Sequence, residues 1–422
     1  MLIYIHVPFC KSKCHYCAFN SWVAELGETQ VYLNGLLEEI EFWAPRMARK
    51  RVSTVFIGGG TPSTLPAAAI GAMLDRLASC FKLADDAEIT TEANPQSGRD
   101  SSYYSDLLRA GVNRLSLGMQ SMNDELLAMM NRPHTVSDAT RAMHQAREAG
   151  FKNINLDLMW GLPGQRLRRW KEDLYHVTTQ LKPEHISAYG LSIEPGTPFN
   201  AWNDAGKLSF CSERELGHMF VDGADILEEA GYMQYEISNF AKLGFQCKHN
   251  LGYWSGEDYL GFGPGAVSTI GGQRWTNPQK LAAYVEMIEK KVLPGSDYGE
   301  LEQLSPQTRL MEMIMLSLRT QKGFNTATYR RLTGRDFFKE NQPLFNALHA
   351  RGLIRIRNKY LSLTRSGMLV SNTVMTHLFD GLPGIEANSG LMLESQAAQV
   401  SHTAQSGPAF SAKAASRDGV KM

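Results

Sequence analysis

The sequence predicts an α/β protein, with repeated βα units through about residue 200 and a smaller C-terminal α+β unit of winged-helix type. Three observations carry this. Short β-type runs alternate with segments of helical period at intervals of roughly thirty residues. A later stretch reads as three helices followed by a two-stranded hairpin, the layout of a winged helix. The chain also has 422 residues, of which 43% are hydrophobic, enough for the cores of two or three domains.

Taken in order, the strands are LIYIHV (2–7), TVFIG (54–58), EITTEAN (88–94), RLSLGM (114–119), NINLDLMWG (153–161) and HISAYGL (185–191). Helical stretches fall between them at Tyr32–Trp43, Ala67–Ala78, Tyr103–Ala110, Ala139–Ala149 and Arg169–Leu181. Successive βα units require parallel strands and right-handed crossovers, which leaves an open doubly wound sheet or a complete or partial βα barrel. In either, ligands gather beyond the C-terminal ends of the strands. Residues 201–300 are less regular: Glu213–Ala230 reads as a helix, YEISNFA (235–241) as a strand, and Gly252 to Gly272 is rich in Gly and aromatics. Residues 301–375 hold the winged-helix-like unit, with helices near Arg309–Arg319, Ala327–Thr333 and Leu344–Arg351 and a hairpin turning at Asn358–Lys359. The composition of 376–422 shifts to Ala, Ser, Gly and Gln without periodicity, as in a disordered tail.

Charge excludes several function classes. Lys+Arg and Asp+Glu both number 43, so no global field steers the chain onto nucleic acid or an anionic membrane, and a partner must be selected by a local site. The third helix of the winged unit, LFNALHARG, carries little basic charge, and nucleic acid is not expected as a partner. No apolar run approaches the roughly 18–20 residues that span a bilayer, and the N-terminus lacks the basic-then-apolar layout of a signal peptide. The expected location is cytoplasmic.

Cys10, Cys14 and Cys17 fall within eight residues directly after the first strand, while Cys80, Cys211 and Cys247 are scattered. An odd cluster in an intracellular chain points to metal more than to disulfides. Three thiolates can hold three irons of a [4Fe–4S] cluster and leave the fourth open to a small molecule. Zinc is the alternative, but it wants a fourth ligand: His15, squeezed between Cys14 and Tyr16, could hardly close a tetrahedron with its neighbours, and His6 is a second candidate. Other polar groups sit at later strand ends. Gly58-Gly59-Gly60-Thr61-Pro62 could bring backbone N–H groups close to a ligand, or serve only as a tight turn. Glu92, Gln120 and Asp157 lie on or just after three later strands, where a barrel would point them into one cavity; taken singly, each carboxylate could instead be a structural ion pair.

CxxxCxxC after a first strand, followed by βα repeats, resembles the radical S-adenosylmethionine (SAM) superfamily. The resemblance implies a partial (β/α)6 barrel, a [4Fe–4S] cluster on Cys10, Cys14 and Cys17, and SAM chelated at the open iron and cleaved there to a 5′-deoxyadenosyl radical. It further implies SAM contacts from Tyr4, Gly59, Gly60, Thr61, Glu92, Gln120, Arg132 and Asp157, with no catalytic residue specified. YIHVPFC, GGGTPS, EANP, LSLGMQS, DLMWGLPGQ, YEISNFA and HNLGYW extend the resemblance over roughly residues 1–375, to the oxygen-independent coproporphyrinogen III oxidases of porphyrin biosynthesis and their HemW-type haem chaperone relatives. The oxidases have a fourth cysteine two residues after the third, and an N-terminal extension. Here Ala18-Phe19 follows Cys17, and the sequence starts nine residues before Cys10, which favours the chaperone branch.

In that branch the HNxxYW box is linked to haem, which assigns His249, Asn250, Tyr253 and Trp254 as haem contacts, with Cys247 as a further candidate thiolate. The alternative for a lone His is a buried structural role. The branch implies haem as cargo, acceptor haemoproteins as partners, including membrane respiratory enzymes, and a homodimer. The competing expectations are oxidative decarboxylation of coproporphyrinogen and a zinc-held adaptor.

Overall fold

The computed structural model describes residues 1–96, 101–293 and 298–380. Six parallel strands follow one another with helical crossovers: β1 (Leu2–Val7), α1 (Glu28–Met47), β2 (Arg51–Gly59), α2 (Ala67–Cys80), β3 (Lys82–Ala93), α3 (Ser101–Arg109), β4 (Arg114–Gln120), α4 (Asp124–Met129), α5 (Val136–Ala149), β5 (Ile154–Trp160), α6 (Leu167–His176) and β6 (His185–Gly190). Neighbours in sequence are neighbours in the sheet, and every pairing from β1 to β6 is parallel. This is the partial (β/α)6 arrangement. All six expected strands are present, five within about three residues of their expected bounds; β3 begins at Lys82, well before the expected Glu88. The helix expected to run to Leu181 ends at His176 and continues as a π-helical turn, Val177–Leu181.

Period-two alternation sorts the strand residues between two surroundings. Ile3, Ile5, Val7, Val55, Ile57, Leu115, Leu117, Ile154, Leu156 and Ile186 pack outward among the helices in one large apolar core. Most intervening positions are polar and equally buried, among them Thr54, Glu88, Thr90, Arg114, Ser116, Asn155, His185 and Ser187, with Leu2, Tyr4 and Phe56 among the exceptions. These polar residues hydrogen-bond among themselves, as in Asn155 to Ser116 (2.7 Å), to Asp157 (2.8 Å) and to His185 (2.6 Å). Burying them together is tolerable because most of their polar atoms find partners, with Thr90 Oγ1 and Arg114 Nε the exceptions.

The less regular third quarter of the chain extends both edges of this sheet. It contributes α7 (Pro198–Asp204), α8 (Glu213–Glu229), β7 (Met233–Gln234), β8 (Asn239–Ala241), α9 (Lys248–Trp254), β9 (Tyr259–Phe262), β10 (Val267–Ile270), β11 (Gln273–Thr276), α10 (Leu281–Glu289) and β12 (Glu300–Gln303). The sheet order is β12-β11-β10-β9-β1-β2-β3-β4-β5-β6-β8-β7, with β9 parallel to β1 and β8 antiparallel to β6. The continuous strand expected over 235–241 is interrupted. Tyr235 N–H closes a turn on Asn239 O (3.1 Å), and the Glu236 carboxylate takes the Ser238 N–H (3.2 Å), so side-chain bonding displaces the ladder there.

The C-terminal unit comprises α11 (Pro306–Leu318), β13 (Phe324–Asn325), α12 (Thr326–Thr333), α13 (Phe337–Glu340), α14 (Gln342–Ala350), β14 (Ile354–Arg357) and β15 (Tyr360–Leu363). The hairpin turns at Asn358 and Lys359, whose φ angles of 49° and 66° suit a tight two-residue turn. Two more helices, Arg365–Leu369 and Ser371–Asp380, follow. The second carries ordered structure past residue 376, and the rest of the expected tail lies outside the described residues. Among the described residues no helix is long and apolar enough to cross a membrane.

Candidate functional site

The loop after β1 carries the three cysteines, and neighbouring chain segments fix its path. Cys10 N–H bonds Trp22 O (2.8 Å), Trp22 N–H bonds Pro8 O (2.9 Å), and the Phe9 and Trp22 rings meet edge-on at 5.8 Å. From the far side, His15 N–H reaches Met130 O (3.1 Å) and Asn131 Nδ2 donates to Lys13 O (2.9 Å). All three thiols are free and line one cavity of about 250 Å³ at the C-terminal ends of the strands. Burial pushes the Cys17 thiol up to about 11, against the pull of Lys13.

Both histidines that the sequence offers to a zinc ion are engaged elsewhere. His15 Nδ1 lies 2.8 Å from Met129 O with its ring against Trp202, and His6 contacts Tyr4 Oη (3.1 Å) and Asn20 O (2.8 Å). Among the described residues, no three His, Cys, Asp or Glu side chains converge on a point that would suit a single ion. Thiolates that each bind a different iron of a cluster stand further apart than ligands to one ion.

The loop after β2 supplies the glycine wall. Gly59 has φ of 110°, and a Cβ there would lie 2.7 Å from the His6 ring; a Cβ on Gly60 would lie 2.7 Å from Phe9 O. Only glycine lets this turn press against the cysteine loop. Gly59, Gly60 and Thr61 all line the cavity, and Thr61 Oγ1 lies 3.5 Å from Cys10 Sγ.

Glu92, Gln120, Arg132 and Asp157 complete the wall from the ends of β3, β4 and β5 and from the segment after α4. Burial, reinforced by Asp157, pushes the Glu92 carboxyl up to about 8, although Gly59 N–H donates to it at 3.3 Å. Burial raises Asp157 as well, against hydrogen bonds from Asn155 and Ser116 (3.2 Å). Gln120 holds a left-handed φ of 68° at a β-bulge, and its buried Oε1 has no protein partner. Strain of this kind in a non-glycine residue concentrates at functional sites. Arg132 donates to Cys14 Sγ (3.4 Å) and Gly118 O (2.9 Å).

Ten of the eleven expected cluster and SAM residues therefore meet in one cavity. The exception is Tyr4, which is buried in the barrel, stacks on Phe56 and contacts His6; it lines a second, smaller cavity of about 140 Å³. Sequence reasoning missed Glu194 and Ser192, which line the main cavity from the loop after β6. The strand-end rule, applied to the sixth strand as to the other five, would have found them.

The expected haem box forms α9, which closes the opposite end of the barrel. His249 is 0% exposed, contacts Thr54 Oγ1 through Nδ1 (2.7 Å), stacks on Phe56 (5.1 Å) and meets Tyr253 edge-on (4.7 Å). Burial, followed by the Arg114 charge, brings its imidazole down to about 3. Glu88 accepts the N–H groups of Lys248 and His249, both at 3.0 Å, and the Cys247 thiol at 3.4 Å. Asn250 and Trp254 are buried, while Tyr253 is half-buried and lines the smaller cavity. In this fold His249 and Cys247 are both enclosed, and ligation of haem by either would require α9 to leave the floor.

Comparison with known proteins matches this architecture. The radical SAM superfamily matches residues 4–174, and the HemN C-terminal domain matches residues 304–370. The heme chaperone HemW of Bacillus subtilis is 36% identical over 372 residues, 88% of this chain and 97% of that protein. The heme chaperone HemW of Escherichia coli is 42% identical over 270 residues, 64% of this chain and 70% of that one. Among solved structures, the radical SAM coproporphyrinogen III oxidase HemN of Escherichia coli superposes with a TM-score of 0.76 at 25% identity, covering 89% of each chain. By its barrel, its C-terminal unit and its near-full-length similarity to these relatives, the chain belongs to the HemW family of the radical SAM superfamily.

Proposed function

We propose that the protein is a haem chaperone, which holds haem and passes it to acceptor haemoproteins, and that it carries a [4Fe–4S] cluster and SAM at the strand-end cavity. The observation that carries this reading is the similarity to a heme chaperone across 97% of that relative's length. The cysteine loop agrees with it, since Cys17 is followed by Ala18-Phe19 and offers no fourth thiol.

The cavity's donor set fits the cofactors. Cys10, Cys14 and Cys17 would hold three irons of the cluster. Gly59 and Gly60 would bring backbone against SAM, and Gln120 Oε1 is a buried acceptor awaiting a donor. Glu92 and Asp157 would meet hydroxyl or ammonium groups, and a bound cation would return Glu92 toward its ionised form. Tyr4 stays protonated within the barrel, through burial first and the Glu92 charge second, with its hydroxyl on His6 Nδ1 (3.1 Å). When bound, the reduced cluster supplies the electron with which radical SAM proteins cleave SAM. Residues 1–200 would form the cofactor domain, 201–300 would complete its edges and floor, and 301–375 would serve as a docking module for acceptors. The reading places the chaperone in the cytoplasm as a homodimer that meets membrane respiratory enzymes through its partners.

Oxidative decarboxylation of coproporphyrinogen III is the second reading, favoured by the superposition on HemN. One experiment separates the two. After anaerobic reconstitution with iron and sulfide, a haem titration followed by absorbance is expected to saturate, and coproporphyrinogen III with SAM is expected to yield no protoporphyrinogen IX. Robust decarboxylation would reverse the assignment.

A further inference from the structure

Each of the three cysteines has a hydrogen-bond donor of its own, and the donors are unequal. Cys10 faces the neutral Thr61 hydroxyl at 3.5 Å, and Cys17 takes the backbone N–H of Phe19. Cys14, the most buried of the three at 9% exposure, faces the Arg132 guanidinium at 3.4 Å.

That guanidinium is held in place by backbone geometry. The register of β4 shifts between Leu117 and Gln120, which frees the Gly118 carbonyl from the ladder to accept Arg132 Nη2 at 2.9 Å. A Cβ at Gly118 would lie 3.2 Å from that nitrogen. On the other side, Asn131 adopts a left-handed φ of 58° and bonds Lys13 O (2.9 Å), tying the residue before Arg132 to the cysteine loop. A side chain anchored at both ends, with one face on a sulfur, is a positioned donor.

We infer that Arg132, with Thr61 in a lesser role, sets the reduction potential of the cluster by donating to its thiolates. The inference rests on the cluster reading above. Reduction adds negative charge, part of which resides on the ligating sulfurs. A donor to sulfur therefore stabilises the reduced form and raises the potential. A full positive charge in a water-poor site does this more strongly than a neutral hydroxyl. Arginine keeps that charge at every physiological pH. Family resemblance gave Arg132 to SAM; the geometry gives its Nη1 to Cys14.

The test is an EPR-monitored redox titration of reconstituted wild type, Arg132→Gln, Arg132→Lys and Thr61→Val, without SAM. Equal iron and sulfide contents are expected. In Arg132→Gln the reduction equilibrium should move roughly tenfold toward the oxidised form, about 59 mV more negative for one electron. Arg132→Lys should recover part of that shift, and Thr61→Val should move about threefold in the same direction. An unshifted potential in Arg132→Gln at full iron content overturns the inference, even if SAM affinity falls. Should Arg132→Gln fail to retain iron, Thr61→Val decides, and an unshifted potential there overturns it. A wild type that takes up no iron overturns the cluster reading itself, a result distinct from the others.

Discussion

The mouth and the floor of the barrel are built from the same kinds of residue and finish in opposite conditions. Both hold a cysteine, buried carboxylates, an arginine and polar atoms without a protein partner. At the mouth, Gln120 Oε1 and the cysteine thiols border a cavity of about 250 Å³. At the floor, His249 Nε2 also lacks a partner, yet its ring is clamped between Phe56 and Tyr253 and lines neither cavity. Space, more than residue type, separates a site from a seal. His249 of the HNxxYW box stands in the second condition, while Tyr253 of the same box lines the smaller cavity.

Substitution at the floor should give the largest effect. His249→Ala removes a buried ring and strands Thr54 Oγ1, so a loss of about 3 kcal/mol in unfolding free energy is expected, measured by urea denaturation. Iron uptake at the mouth should be unchanged. Loss of reconstituted iron with stability intact would erase the distinction between the two ends.

Gly60→Ala should act the other way. Its new Cβ meets Phe9 O, so the cysteine loop must shift, with an expected cost of about 1–3 kcal/mol. SAM affinity, read by equilibrium dialysis on the reconstituted protein, should fall at least about tenfold. Unchanged affinity would remove the glycine wall from the site.

The smallest effect is a pair of opposed pH slopes. Glu92 has a folded pKa of about 8 against an ordinary 4.5, so the folded state holds the extra proton between these values, and stability falls as pH rises through that window. His249 has a folded pKa of about 3 against 6.5. There the unfolded state holds the extra proton, and stability falls as pH drops below 6.5. Neither slope can exceed about 1.4 kcal/mol per pH unit. In apo-protein Glu92→Gln should flatten the alkaline loss alone, and His249→Phe the acid loss alone, both read from urea midpoints.

Much of the mouth was legible because two local rules coincide there. The strand-end rule for βα units and the CxxxCxxC spacing both point to the same ends of β1 to β5, and ten of the residues they and the resemblance picked line one cavity. The floor was not legible. Cys247 and His249 look like ligands in a sequence, and their enclosure depends on Thr54, Phe56 and Glu88, more than 150 residues earlier. The edge strands β7 to β12 were obscured for another reason. They are two to four residues long, too short for period two to emerge, and Gly261 and Gly263 interrupt the apolar run around β9.

Differential thiol alkylation, read by mass spectrometry before and after anaerobic iron–sulfide reconstitution, tests most directly whether the mouth holds the iron chemistry. In native apo-protein Cys10 should label readily, Cys14 and Cys17 slowly, the latter because its raised pKa leaves little thiolate, and Cys247, at 0% exposure, not at all. Reconstitution should protect all three mouth cysteines together and leave Cys247 unchanged. Labelling of Cys247 in the native protein, or mouth cysteines that stay reactive after iron uptake, would contradict the account.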